Sequence, residues 1–439
     1  MRKLGLKKLV TNSAGTLVRQ LGAGILQLLT VIVIARALGP EGNGQFAIAI
    51  LFPTLIGRFL EFGMAPANAH FISSKKVSAY TAFKTSLSWS SLLVPAGLAI
   101  GTVVIWQTGN QWFPGIPLTT LWLALATYPI LLVQAFIASI FQGLQDFKAY
   151  NLVLLLQPAV TLVLALVAEA LGIDTVNMLV AAYLAGSLVT LLVSYITLRH
   201  YLVGDRPTPK AVRAYSQQIK RYALVVHVGT ALSFFNYRVD AYLLNLLGNT
   251  ADTGVYVIAT QMVEKLWLLS AAVSVVMLPA LSQLVDDEDK RRKITPLLYI
   301  WVLVLTGLAG CATAVLAAPI VLVLFGQGYE KAALIIQLLA PGIVAWSGAR
   351  VLAHDIIARG QPGLNAFMNT GVLLVNVVGN VLLIPQYGAN GAAIATTIAY
   401  CLFALQMVFF YTRIAKVQWK PAFVDSFRLS KQKLSALRR

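Results

Sequence analysis

Charge is what this chain has least of. Only 11% of its 439 residues are Asp, Glu, Lys or Arg, against 58% hydrophobic residues, and its mean hydropathy is +0.76. A soluble domain needs far more charged surface than that, so the soluble globular class is excluded. Cysteine is nearly absent. Cys311 and Cys401 both fall inside apolar runs, with no Cys or His at metal-ligand spacing, so neither a disulfide nor a metal site is expected, and no cofactor is implied. Long polar stretches are lacking too, which leaves little room for a catalytic domain. The links read as outward-facing hold only Arg36, Glu41, Glu169, Asp174, Asp252, Glu330 and Lys331, all dispersed. A membrane enzyme would gather its acids and bases in one such link, so the chain is read as non-enzymatic.

What is present is a row of apolar stretches, each about the twenty residues needed to cross roughly 30 Å of hydrocarbon. About twelve can be placed, beginning near residues 14, 44, 85, 118, 151, 176, 222, 254, 297, 331, 363 and 389. The class expected is an all-α polytopic membrane protein with about twelve transmembrane helices. The start, MRKLGLKK followed by an apolar run to Ala35-Arg36-Ala37, has the outline of a signal peptide. That run is span-length, carries Arg19 and flows into a second span, so a retained first helix is expected instead.

The net charge of +18 has a topological meaning. With the N-terminus placed in the cytoplasm, 27 of the 34 lysines and arginines fall at the N-terminus, in even-numbered links or in the tail, five fall inside spans, and only Arg36 and Lys331 fall opposite. This asymmetry predicts both termini in the cytoplasm. It assigns the basic surface to anionic lipid, with no nucleic-acid partner.

The longest interior link, 199–221, contains Pro207, Pro209, Lys210, Arg213 and Lys220 and divides the spans six and six. The boundaries expected are an N-terminal six-helix bundle over 1–200, a cytoplasmic linker over 201–220, a C-terminal six-helix bundle over 221–415 and a basic cytoplasmic tail over 416–439. The halves repeat weakly. Gly39 is followed by Gly44, Phe46 and Ala49, while Gly248 is followed by Gly254, Tyr256 and Ala259. Gln142-Gly143 leads to Asn151 much as Arg359-Gly360 leads to Asn369. Repeats with an even number of spans share one orientation and relate by an axis along the membrane normal. DDEDKRRK at 286–293 is read as a solvated interfacial turn. The stretches 1–9 and 209–222 are read as short interfacial helices.

Several stretches resemble those of a known family. ARALGPEGNGQFAIAILFPTLIGRFLEFGM at 35–64 is similar to the first-to-second-span signature of bacterial polysaccharide repeat-unit (O-antigen and exopolysaccharide) flippases. The segment 237–284, starting YRVDAYLLNLLGNTADTGVYVIATQ, resembles their seventh and eighth spans. LFGQGYEKAALIIQLLAP at 324–341 and YGANGAAIA at 387–395 resemble later landmarks. The family sits in the multidrug/oligosaccharidyl-lipid/polysaccharide exporter superfamily. The resemblance implies two six-helix bundles around a central cavity that opens alternately to each side. It implies, as cargo, a polyprenyl-pyrophosphate-linked oligosaccharide moved from the inner to the outer leaflet. Expected partners are that lipid-linked oligosaccharide and membrane lipids, with a polysaccharide polymerase and glycosyltransferases in the same pathway; a monomer is expected. Lipid II flippases typically carry two further spans, which are not found here. A cation-coupled multidrug exporter of the same superfamily is the alternative.

Five cations lie inside predicted spans: Arg19, Arg58, Arg238, Lys265 and Arg350. An intramembrane charge is costly against lipid and so is expected to face a wet cavity or a partner. Arginine's planar fork suits pyrophosphate oxygens, and these five are the candidate pyrophosphate ligands. Arg58 and Glu61, three apart, can equally form a purely structural pair. Asp355 and Arg359, four apart, are read as a structural pair. Arg238 and Asp240 point about 200° apart on a helix, so each needs a partner from elsewhere, and the adjacent Glu264 and Lys265 share that difficulty. Asp240, Glu264 and Glu61 are the candidate ion-coupling residues, exchanging a proton or sodium ion. Fixed interhelical salt bridges are the competing reading of the same residues.

Overall fold

The computed structural model describes residues 2–204, 206–268, 270, 288–417 and 419, leaving aside the side chains of 2–21, 221, 223–225, 290, 293, 358 and 362. All elements among the described residues are helices. In order they are α1 (Arg2–Leu60), α2 (Met64–Ser73), α3 (Ala79–Trp112), α4 (Leu118–Leu125), α5 (Tyr128–Gly143), α6 (Phe147–Ala170), α7 (Val176–Leu198), a 3-10 turn (Arg199–Tyr201), α8 (Pro209–Leu247), α9 (Thr250–Glu264), α10 (Glu288–Val315), α11 (Ala317–Phe325), α12 (Lys331–Ala358) and α13 (Pro362–Ala415).

Among the described residues, eight helical stretches are long and apolar enough to cross a membrane. The chain is a multi-pass membrane protein. Two of these stretches, Gly22–Leu60 and Gly363–Ala415, are long enough to hold more than one of the apolar runs seen in the sequence. Each breaks at a glycine with positive φ: Gly39 (φ 65, ψ −178) in α1 and Gly388 (φ 54, ψ −132) in α13. Neither conformation is open to an ordinary L-residue, so glycine at these points lets two helices run on from one another at an angle. Four helix starts are capped by side chains. Ser78 accepts from the Thr81 amide, Asp146 from Lys148 and Ala149, Thr175 from Met178 and Thr208 from Ala211. Each satisfies amide groups that the first turn leaves without a partner.

The chain forms two compact units, Arg19–Val257 and Met1–Val18 with Ile258–Arg439. In the first, α2 and α3 pack on α5, α6 packs on α7, and α3 packs on α8. Its core is dense in large side chains, with Tyr128, Phe136, Phe141 and Tyr215 at 2% exposure or less. In the second, α12 packs against α10, α11 and α13.

Two local expectations change. The stretch 209–222, expected as a separate interfacial helix, is the first part of the continuous α8. Its Tyr215 is buried, donating its hydroxyl to Asn68 Oδ1 at 2.9 Å, and Ser216 accepts from the Trp89 indole at 2.9 Å. DDEDKRRK, expected as a solvated turn, is from residue 288 onward the opening of α10, and Arg291 within it is only 6% exposed. The reason for both is tertiary: buried partners lie on helices distant in sequence. The end of the 237–284 segment, from residue 271, and the tail beyond residue 419 lie outside the described residues.

Candidate functional site

The first unit contains a cavity of about 300 Å³. Apolar side chains form much of its wall, among them Pro53, Leu131, Leu132, Val153 and Leu154. Set into that wall are Gln27, Thr54, Arg58 and Glu61 from the first helical region, Gln134 from α5, Gln157 from α6 and Tyr183 from α7. Polar groups inside a membrane domain are costly unless they meet water or one another, so their convergence on one space marks it as wet or ligand-binding. Pro53, also in the wall, lies inside α1 and lacks the N–H that would bond the Ala49 carbonyl one turn earlier.

Arg58 occupies the last turn of α1, where a cation complements the helix's negative end. Phe62 (φ 46) and Gly63 (φ 67) then interrupt the helix before α2. Glu61 stands at the start of that break beside Arg58: Nη1 donates to Oε2 at 3.2 Å, with the Arg58 side chain 52% exposed and that of Glu61 10%. The Arg58 guanidinium also lies 5.7 Å from the centre of the Phe234 ring. The pair foreseen from the i,i+3 spacing therefore exists, and both its members line the cavity. Gln157 is fixed by donating Nε2 to Ser187 Oγ at 3.1 Å. Gln134, 8% exposed, has a buried Oε1 to which no group among the described residues donates.

Farther along the same unit, Asp240 on α8 is 3% exposed. Its Oδ2 accepts the Tyr256 hydroxyl from α9 at 2.5 Å, and its Oδ1 accepts the Ala241 amide at 2.8 Å. Arg238 Nη1 donates to the carbonyl of Tyr237 at 3.2 Å. In the second unit Glu264 ends α9 and Lys265 stands in the turn that follows. Arg350 on α12 carries its guanidinium 5.9 Å from the Trp267 ring. Arg19 is on α1, and its side chain lies outside the described residues.

Sequence reading missed the strongest charge network and the glutamines. In the second unit, Arg291 Nη2 and Asp355 Oδ1 are 2.5 Å apart, and Asp355 is 3% exposed. The Asp355 Oδ2 also accepts Arg359 Nε at 3.2 Å, as the i,i+4 spacing foretold, and the Tyr411 hydroxyl at 2.7 Å. Arg359 continues to Glu288 at 2.6 Å, and Glu288 to Arg292 at 3.3 Å. Partial burial pushes the Glu288 carboxyl upward, but hydrogen bonds and charge from Arg359 and Arg292 outweigh it and hold the group below its ordinary range. The Arg291–Asp355 pair spans 64 residues, a separation that no helical spacing encodes. The intramembrane glutamines were a visible signal, since a neutral amide in a span also needs a partner.

Comparison with known proteins gives this geometry a context. Residues 9–285 match the family model described as polysaccharide biosynthesis protein. The chain is 24% identical over 238 residues to a Haloferax volcanii protein named "Probable low-salt glycan biosynthesis flippase", covering 53% of this chain and 48% of that one. It is 26% identical over 188 residues to the capsular polysaccharide biosynthesis protein CapF of Staphylococcus aureus, covering 42% and 47%. The chain thus spans about half the length of these two curated relatives. Against a Shigella flexneri protein named "Putative O-antigen transporter" it is 22% identical over 397 residues, covering 88% and 93%. Among solved structures, the lipid II flippase MurJ in an inward closed conformation superposes with a TM-score of 0.72 at 17% identity, over 94% of this chain and 92% of that one. An inward-facing multidrug resistance MATE family transporter gives 0.67 at 15% identity, over 90% and 94%. The fold is shared with both kinds of transporter, and the family match covers well over half of the sequence: the chain belongs to the polysaccharide biosynthesis protein family of multi-pass membrane proteins.

Proposed function

We propose that the chain is a flippase that carries a polyprenyl-pyrophosphate-linked oligosaccharide from the inner to the outer leaflet by ion-coupled alternating access. The observation that carries this reading is the Arg58–Glu61 pair lining a polar cavity among apolar helices, in a chain whose relatives bear flippase and O-antigen transporter names. A guanidinium offers two parallel N–H bonds to a phosphate, and Glu61 holds that fork while no phosphate is bound. A proton taken up by Glu61 removes its charge, weakens the pair and frees Arg58 for pyrophosphate. In this scheme Arg238, Lys265, Arg350 and Arg19 are the further anionic-headgroup ligands. Asp240 and Glu264 are further points at which a proton or sodium ion biases the two states. The bacterial inner membrane, cytoplasmic termini and a pathway shared with glycosyltransferases and a polymerase belong to the same proposal.

A cation-coupled multidrug exporter is the second reading, and the likeness to MATE transporter structures favours it. Purified protein in proteoliposomes separates the two. A fluorescent polyprenyl-pyrophosphate oligosaccharide placed in one leaflet should become accessible to a membrane-impermeant quencher on the other side. Export of a cationic dye without movement of the lipid-linked sugar would establish the exporter reading instead.

A further inference from the structure

Within the first unit, the link between α3 and α4, residues 113–117, is held on two sides. Toward α1, the Phe113 ring packs edge-on to Phe52 with 4.9 Å between centres, and the Gly115 carbonyl accepts Gln45 Nε2 at 2.9 Å. Toward α8 and α9, Phe113 lies 5.9 Å from the Tyr242 ring, and the Pro114 carbonyl accepts Asn245 Nδ2 at 3.2 Å and the Thr250 hydroxyl at 3.3 Å. Gly115 (φ 76) faces the Thr250 side chain so closely that a β-carbon there would run into its hydroxyl. Phe113 and Ile116 are at most 5% exposed. Loops ordinarily run over a surface, whereas this one is fitted between helices by two buried apolar residues and three side-chain bonds to its carbonyls.

The two sides belong to different sequence halves. α1, α3 and α4 precede the 199–221 link, whereas Asn245 and Thr250 follow it. The cycle proposed above requires the halves to part at one end of the molecule and then at the other. While α1 and the α8–α9 turn stand together, one loop can bond to both; once they part, it can keep only one set. Gln45 and Phe52 lie in the loop's own half, so the bonds from Asn245 and Thr250 are the ones that must break. They are suited to breaking, since each joins a neutral side chain to a carbonyl, is worth about two- to tenfold in an equilibrium constant, and strands no charge when lost. We propose that residues 113–117 form a strap: held to α1 by Gln45 and Phe52, it catches the α8–α9 turn through Asn245 and Thr250, and opening at this end requires the catch to let go. With cytoplasmic termini, this is the outer end. The inference rests on the alternating-access part of the reading above and not on its cargo, and it adds the segment that fastens one of the two ends.

A reversible cross-link tests it. The double variant Gly115→Cys/Thr250→Cys places two β-carbons 3.5 Å apart, within the range that a disulfide spans. Made in the full chain with Cys311→Ser and Cys401→Ser, it should transport in proteoliposomes when reduced, lose transport when oxidised with copper phenanthroline, and recover with reductant. Gly115→Cys alone should not respond to oxidant. Transport undiminished by the cross-link overturns the strap. Lipid-linked sugar and a cationic dye are both supplied as cargo: a parent that moves only the dye sinks the flippase reading and leaves the strap to be judged on the dye. If sugar moves equally well in the oxidised and reduced variant, the flippase reading stands and the strap falls. A second measurement needs no transport. In the same cysteine-free background, Ile116→Cys is labelled with a maleimide in lipid nanodiscs, slowly while the strap is seated. Adding Asn245→Leu or Thr250→Val should speed labelling about two- to tenfold each, as removal of one neutral hydrogen bond does. Labelling unchanged with both substitutions overturns the strap, even where the cysteine pair fails to fold.

Discussion

Gly44 and Gly254 touch backbone to backbone, and each faces the carbonyl oxygen of the residue four positions before the other: Thr250 for Gly44, Pro40 for Gly254. The contact is reciprocal in the manner of a local twofold axis, in which residue i meets j and j meets i. These are the same two glycines that the weak internal repeat sets in register. Asn43 adds to the contact by donating Nδ2 to the Gly254 carbonyl at 2.9 Å.

A β-carbon at position 254 would run into the Pro40 carbonyl and come within 2.8 Å of the Gly44 nitrogen; one at position 44 would come within 3.0 Å of the Gly254 nitrogen. Backbone cannot give way as a flexible side chain can. Gly254→Ala and Gly44→Ala are each expected to destabilise the protein by about 1–3 kcal/mol. The double variant should lose less than the sum, since one separation of the helices relieves both clashes. Thermal melting of the purified protein checks this, and melting temperatures unchanged from the parent would mean that the helices part there at no cost.

Arg58→Ala should reduce flipping of a lipid-linked sugar in proteoliposomes at least about tenfold, the loss of one charge-assisted contact to phosphate. Arg58→Lys should fall between, keeping the charge and losing the planar fork. Glu61→Gln should retain headgroup binding and lose the response of the rate to an imposed pH gradient. Flipping at the parent rate in Arg58→Ala would remove this residue from the cargo path.

What could be read in advance divides by range. The Arg58–Glu61 and Asp355–Arg359 pairs were legible because a helix brings residues three or four apart together. Arg291 was not: its partner Asp355 lies 64 residues away, so a run of four acids followed by four bases looked like a solvated turn. The apolar runs announced membrane helices. They could not announce that 209–222 continues into the rest of α8, because that depends on Tyr215 finding Asn68 and Trp89 finding Ser216. Gln134 escaped notice for a different reason. A search for intramembrane charge passes over neutral amides, although burial without a partner is costly for them as well.

Tyr256 and Asp240 offer a test of the α8 carboxylate. The ring of Tyr256 is fully buried, and its hydroxyl donates to Asp240 Oδ2 at 2.5 Å. Tyr256→Phe keeps the ring and deletes one charge-assisted bond, at an expected cost of about 1.5–3 kcal/mol in stability. If Asp240 exchanges a proton during transport, the pH profile of flipping should differ between Tyr256→Phe and the parent. A lowered melting temperature with an unmoved pH profile would assign the pair to structure alone.

The Asp355 network should respond to both mutation and acid, with distinguishable signatures. Asp355→Ala leaves Arg291, 6% exposed, without the carboxylate it donates to, and a buried ion pair broken from one side typically costs about 3–5 kcal/mol. Glu288 sits at the accessible end of the same network, with its carboxyl held below the ordinary range by Arg359 and Arg292. A carboxyl depressed in the folded state stabilises the protein above its unfolded-state value, and that contribution fades as pH falls through the depressed value. At neutral pH the parent should therefore melt above Glu288→Gln. The gap should close on acidification to about pH 3, where the unpaired carboxyl is mostly protonated in the unfolded chain and increasingly so in the folded one. Because the Glu288 side chain is 40% exposed, salt should shrink the neutral-pH gap as well. A gap that persists undiminished in acid would show that Glu288 acts through packing at the start of α10 and not through its charge.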